Sequence, residues 1–193
     1  MKSICVYCGS SLGNKKAYAE AARALAETLA DAGINLVYGG ASVGLMGVIA
    51  DSVLANGGKV IGVIPQSLVD KEVSHGGLTE LHIVSSMHER KALMAQLSDG
   101  FIALPGGFGT LEELFEVLTW SQLGFIQKPV ALLNIANYYD SLLQFLDFAR
   151  DEMFVKEAHR QLLLADDSAA SLIDRMQHFV APTTTKWIGD GEI

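Results

Sequence analysis

Two short segments of this 193-residue sequence bring together residue types that could act on a small anion. The first runs Leu104-Pro105-Gly106-Gly107-Phe108-Gly109-Thr110-Leu111-Glu112-Glu113. Glycines let backbone N–H groups converge without side-chain clashes, and a helix starting there adds partial positive charge. Together they make a cradle for an anion such as a phosphate. The adjacent carboxylates Glu112 and Glu113 could stabilise positive charge or take a proton beside it. The second segment runs Ser86-Met87-His88-Glu89-Arg90-Lys91. It puts two cations early in a helix, where the dipole disfavours them. An anionic ligand or a carboxylate would offset that cost.

Each segment also has a reading without chemistry. Thr110 followed three residues later by Glu113 fits a capping box, in which each satisfies the other's backbone N–H. Glu112 then merely suits the helix dipole. Leu111, Leu114, Phe115 and Leu118 form the apolar stripe, and Glu113 lies roughly 200° from Leu111 at 100° per residue. It is off the stripe and beside the loop mouth, free to cap or to face a ligand. Arg90 could equally be a solvated surface charge. His88 reads as a capping or supporting residue. His75, His82, His159 and His178 lack metal-ligand spacing.

The elements that must position these segments alternate along the chain. Short apolar runs ("ICVY", "INLVYGG", "KVIGVIP", "LHIVSS", "GFIALPGG", "KPVALLN", "QLLLADD") are separated by longer helical stretches. The runs are continuously apolar, as in strands buried on both faces. Strand and helix alternating six or seven times predicts an α/β fold: a Rossmann-like, doubly wound, mainly parallel sheet with helices on both faces. A closed eight-fold barrel needs about 250 residues. One domain over residues 1–180 and an irregular tail over 181–193 are expected. Ligands in such sheets sit at the carboxyl ends of the strands. The glycine-rich strand ends "CGSSLG" and "GGASVGLMG" therefore join the candidates, the latter with Gly40, Ser42 and Gly44. With Gly106 they would form the phosphate loops.

The named nucleotide motifs are missing. There is no GxxxxGK[ST] and no GxGxxG, and the second strand ends in "VYGG" without an acidic residue for a dinucleotide ribose. NAD is thus a poor fit, and a mononucleotide or sugar phosphate a better one. A net charge of -8, with no basic stripe, argues against a nucleic-acid polymer as partner. No apolar run reaches membrane-spanning length and the N-terminus lacks signal-peptide features, so an intracellular protein is expected. The two cysteines, Cys5 and Cys8, sit three apart on a strand, facing opposite sides, and fit a reducing cytoplasm. They are too few for a structural zinc site.

At these residues the chain resembles the Lonely Guy family of cytokinin riboside 5'-monophosphate phosphoribohydrolases, often mislabelled lysine decarboxylases. The family signature PGGxGTxxE reads Pro105 to Glu113 here, and the upstream MHxRK reads Met87-His88-Glu89-Arg90-Lys91. "GGASVGLMG" resembles the family's GGGSVGLMG with Ala41 for a glycine, and Phe108 stands where tyrosine is common. The likeness spans about Ile4 to Arg150.

The resemblance implies a Rossmann-like homodimer that cleaves the N-glycosidic bond of a nucleoside 5'-monophosphate, with its site shared across the interface and no cofactor. It implies Arg90 and Glu113 as the catalytic pair. Substrate contacts fall on Glu72, Lys91, Gly107, Phe108, Gly109, Thr110, Leu111, Glu112 and Thr119. The decarboxylase label sits poorly with the sequence, since that chemistry ordinarily uses pyridoxal phosphate on a Schiff-base lysine. Lys91 is the only lysine in the motifs. Molybdenum-cofactor carriers of the same superfamily offer a different reading, as binders that would keep the glycine loops without needing Arg90 and Glu113.

Overall fold

The computed structural model describes residues 1–70 and 74–182. Glu72 and most of the expected C-terminal tail lie outside the described residues.

Seven strands form one sheet: β1 (Ser3–Tyr7), β2 (Asn35–Tyr38), β3 (Val60–Pro65), β4 (Glu80–Val84), β5 (Gly100–Ala103), β6 (Val130–Leu133) and β7 (Leu163–Asp166). Their order is β4-β3-β2-β1-β5-β6-β7, and every pairing is parallel. The helices are α1 (Lys16–Asp31), α2 (Gly44–Ala55), α3 (Gln66–Val69), α4 (Met87–Leu97), α5 (Phe108–Gln122), α6 (Asp140–Asp151), α7 (Glu157–Arg160) and α8 (Ala169–Gln177). The short α3 and α7, and a 3-10 turn at Ile135–Asn137, carry too few residues to show a periodic pattern in the sequence.

Alternate residues of the strands feed two cores. Ile4 and Val6 of β1 pack with α1, α2 and α8, whereas Cys5 and Tyr7 pack with α4 and α5. Cys8 falls in the first core and Cys5 in the second, so the two thiols do face opposite sides. Both are free and buried, and burial pushes both thiols far above their ordinary range. That makes them inert apolar packing.

This two-sided burial places the site. From β1 the chain winds one way across the sheet through β2 and β3. From β5 it winds the other way through β6 and β7. The loops that leave β1 and β5 therefore diverge, one toward each face, and open a crevice between neighbouring strands.

Candidate active site

Three loops meet at that crevice, and glycines let them touch backbone to backbone. Gly9 N donates to Pro105 O at 3.1 Å, and Leu45 N donates to Gly9 O at 3.0 Å. A β-carbon on Gly106 would lie 2.1 Å from Thr110 Oγ1 and 2.9 Å from Gly9 N. Gly44 is left-handed (φ 57°), and a β-carbon there would stand 2.2 Å from the Ser10 carbonyl carbon. Next to these contacts lies a cavity of about 290 Å³, lined by Ser10, Ser11, Leu45, Gly106, Gly107 and Tyr138 among others. The N-termini of α2 and α5 both border it. Neither helix has a side-chain cap on its first turn, which leaves N–H groups for an anion.

Beside α5's first turn stands an ion pair from two helices. Arg90 of α4 and Glu113 of α5 keep only 10% and 12% of their side chains exposed. Arg90 Nη1 donates to Glu113 Oε1 at 3.1 Å, and Nε donates to Val63 O at 3.1 Å, tying the pair to β3. Gly39, after β2, lies against the guanidinium, where a β-carbon would come within 2.0 Å of Nη2. Burial raises the Glu113 pKa above the ordinary carboxylate value; the Arg90 charge opposes the rise without cancelling it.

Two readings of the sequence are corrected here. Arg90 is no solvated surface charge, since Glu113 and the Val63 carbonyl satisfy it in a buried setting. Thr110 and Glu113 do not form a capping box, because α5 begins two residues before Thr110 with Gly107 at its N-cap. Thr110 is instead buried in the first turn against Gly106. A box of similar chemistry forms on α4. Ser86 Oγ accepts from Glu89 N at 3.2 Å, and Glu89 Oε2 accepts from Ser85 N at 2.8 Å. His88 is exposed and takes no part in that cap.

Lys91 is buried between two carboxylates. Its Nζ donates to Glu112 Oε1 at 2.5 Å and Glu116 Oε1 at 3.0 Å. Burial alone would lower its pKa, but these two partners outweigh it and raise the pKa overall. A Schiff-base lysine must become a neutral amine, so this one does not fit pyridoxal phosphate.

The other expected contacts are spread along α5. Gly107 is its N-cap and Gly109 and Thr110 lie in its first turn, Leu111 is half-buried, and Phe108 is 93% exposed. Thr119 lies six residues beyond Glu113, about 9 Å along the axis at 1.5 Å per residue. It is exposed, and its hydroxyl donates to Phe115 O. Spacing puts it on the same stripe as Glu112, Phe115 and Glu116. The structure does not bring it to the Arg90–Glu113 pair. Gly40 is left-handed (φ 75°) and packs on Val63 and Ile64, behind the ion pair. Ser42 accompanies it in the loop that leads to α2.

Sequence reasoning missed four contributors. Gly39 stood within "VYGG" without a role, although a glycine at a strand end signals close backbone approach. Glu116 sits four residues after Glu112, the spacing of a shared partner. Tyr138 and Tyr139, whose hydroxyls hold the Leu104–Gly106 segment, carry no local signal. Among the described residues, no group of three or more His, Cys, Asp or Glu is placed to hold a metal ion.

The chain is similar to known proteins. A family model described as "Possible lysine decarboxylase" matches residues 46–176. A cytokinin riboside 5'-monophosphate phosphoribohydrolase of Arabidopsis thaliana is 50% identical over 179 residues, covering 93% of this chain and 84% of that protein. One of Oryza sativa subsp. japonica is 50% identical over 179 residues, covering 93% of this chain and 74% of that protein. Among solved structures, the molybdenum cofactor binding protein of Rippkaea orientalis superposes with a TM-score of 0.70 over 92% of this chain and 97% of that one. Its 23% identity makes this a likeness of fold alone. The relatives' identity and coverage settle the family: the chain belongs to the cytokinin riboside 5'-monophosphate phosphoribohydrolases.

Proposed function

We propose that this protein hydrolyses the N-glycosidic bond of nucleoside 5'-monophosphates, AMP and N6-prenylated AMP among them, to the free base and ribose 5-phosphate. The observation that carries this reading is the buried Arg90–Glu113 pair beside the uncapped N-terminus of α5. The N–H groups of Gly107, Gly109 and Thr110, with the Thr110 hydroxyl, hold the 5'-phosphate. The loops containing Gly40, Ser42, Gly44 and Gly106 shape the floor. Lys91 and Glu112 form the rim that meets the nucleotide, with Phe108 and Leu111 beside it.

Breaking the C1'–N bond builds positive charge on the ribose ring, as in glycoside hydrolysis. The Glu113 carboxylate stabilises that charge and takes a proton from the attacking water. The bond pair leaves on the base nitrogen, the water's oxygen and one of its protons stay on C1' as the new hydroxyl, and the proton that Glu113 removed passes to the departing base, which restores the carboxylate. A carboxylate with a raised pKa is a better base than an ordinary one. Arg90 orients Glu113 by a charge-assisted hydrogen bond. Glu113→Gln and Arg90→Ala, assayed on AMP and isopentenyladenosine monophosphate, test the assignment. Wild-type turnover in either variant overturns it. The carrier reading predicts AMP binding without release of adenine, and the buried ion pair weighs for the hydrolase.

We also infer a cytoplasmic homodimer with a shared site. Free, buried thiols suit a reducing compartment, and no helix among the described residues is long and apolar enough to cross a membrane. Phe145 and Phe148 of α6, and also Phe115, Phe125 and Phe154, leave large apolar surface exposed. Such surface marks an interaction face. Thr119 itself stands about 9 Å along α5 from Glu113 at 1.5 Å per residue, which suits contact with a nucleotide in the partner's site. Glu72 keeps its substrate-binding role in this reading on the resemblance alone.

A further inference from the structure

β6 ends at Leu133, and after Asn134 the chain makes the 3-10 turn Ile135–Asn137. Ala136 and Asn137 are both left-handed, with φ of 51° and 64°. Consecutive non-glycine residues in that region are uncommon and need support from their surroundings. Asn134 supplies it. Its Nδ2 donates to Asp140 Oδ1 at 2.7 Å, and its Oδ1 accepts from Tyr139 N at 2.7 Å.

The turn delivers two tyrosines to the glycine loop. Tyr139 Oη donates to Leu104 O at 2.6 Å, and Tyr138 Oη donates to Gly106 O at 2.5 Å. The Tyr138 ring stands edge-on to Tyr139 and to Tyr18, at 4.9 Å and 5.7 Å between centroids. Tyr139 is buried, whereas Tyr138 borders the cavity.

In a trans peptide the N–H points opposite to the C=O. Holding the Gly106 carbonyl toward Tyr138 therefore turns the Gly107 N–H the other way. Both residues of this peptide are glycine, so few steric barriers resist a flip. A flipped peptide would offer a carbonyl oxygen, not an N–H, to an anion at the start of α5.

We propose that Tyr138 is a positioning residue for the phosphate loop: its hydroxyl locks the Gly106–Gly107 peptide so that the Gly107 N–H faces the 5'-phosphate. This rests on the nucleoside monophosphate reading above. It adds a residue outside the PGGxGTxxE and MHxRK segments, from a different strand end.

The test compares wild type, Tyr138→Phe and Tyr139→Phe. The measurements are AMP hydrolysis, AMP binding by calorimetry, and competition by inorganic phosphate and by adenosine. Tyr138→Phe is expected to raise KM and Kd for AMP about tenfold, the scale of one hydrogen bond to a charged group. The Ki of phosphate should rise by a similar factor, with kcat and the Ki of adenosine within about twofold of wild type by the same reasoning. Tyr139→Phe should lower Tm and leave the ratio of phosphate to adenosine affinity unchanged. An unchanged AMP Kd in Tyr138→Phe, or equal weakening of phosphate and adenosine, overturns the proposal. Wild-type protein that binds AMP without releasing adenine overturns the hydrolase reading alone, and the Kd ratio still decides the role of Tyr138. Wild-type protein that neither binds nor cleaves AMP overturns both.

Discussion

Gly39 and Arg90 are fitted to each other: a β-carbon at residue 39 would stand 2.0 Å from Arg90 Nη2. The guanidinium is tethered to Val63 O and Glu113, so it cannot yield without losing one of them. Gly39→Ala should therefore lower kcat/KM by about 100-fold, the scale of a 1 Å misplacement. The clash involves the end of a flexible side chain, so the protein should still fold. Circular dichroism beside the AMP assay separates the two effects. Wild-type activity in Gly39→Ala would show that the guanidinium's position is not critical.

Glu113 sets the pH behaviour. The acid limb of kcat/KM should lie above the ordinary glutamate value of about 4.3, because burial favours the protonated form. Glu112→Gln removes a negative neighbour and should move the limb to lower pH. Lys91→Met removes a positive one and should move it to higher pH. Stability runs by the same sign. Folded Glu113 keeps its proton to higher pH than unfolded Glu113. Its contribution is full below about 4.3 and is lost as pH rises through the folded value. Glu113→Gln should flatten that part of the curve of urea midpoint against pH, while lowering kcat by about 100-fold or more.

The helix caps separate Ser86 from Thr110. Ser86→Ala should cost about 1 kcal/mol of stability, since its hydroxyl caps α4. Thr110→Val should cost clearly less, because Thr110 caps nothing, and should instead raise KM for AMP. Equal losses in thermal or urea unfolding would contradict the arrangement at the start of α5.

Much of this was visible in the sequence, and the exceptions have a common cause. Continuous apolar runs such as "ICVY" and "GFIAL" marked the strands and their burial on both faces. A step of 100° per residue put Glu113 off the apolar stripe of α5, and there it pairs with Arg90. Both Ser86–Glu89 and Thr110–Glu113 fit the capping pattern, yet only the first caps. Gly107 starts α5 early, and Thr110 is pressed against Gly106 by a loop from another strand. Tyr138 was invisible for the same reason. Its role exists only because β6 lies beside β5 and the turn after it is held left-handed. Spacing along one element shows faces; it does not show which loop arrives from elsewhere.

The exposed aromatic surface makes a separate prediction. Replacing both Phe145 and Phe148 by Asp should turn the proposed homodimer into a monomer in sedimentation, because its apolar contact face would have to bury a charge. If Thr119 serves the partner's site, AMP turnover should fall with dimer content and recover at high protein concentration. A fully active monomer would refute the shared site.

The pairing of β1 with β5 also governs how the protein comes into being. Residues 4–7 must find residues 100–103, nearly a hundred positions away. Such distant parallel pairings form slowly. Until β5 docks, β1 presents an open apolar edge, the kind that invites aggregation. The crevice, the glycine contact between Gly9 and Pro105, and the meeting of α4 with α5 all wait for that step. During synthesis, the first half of the chain therefore leaves the ribosome with Arg90 but without its partner carboxylate. Catalytic competence arrives late, when the second half of the sheet closes against the first.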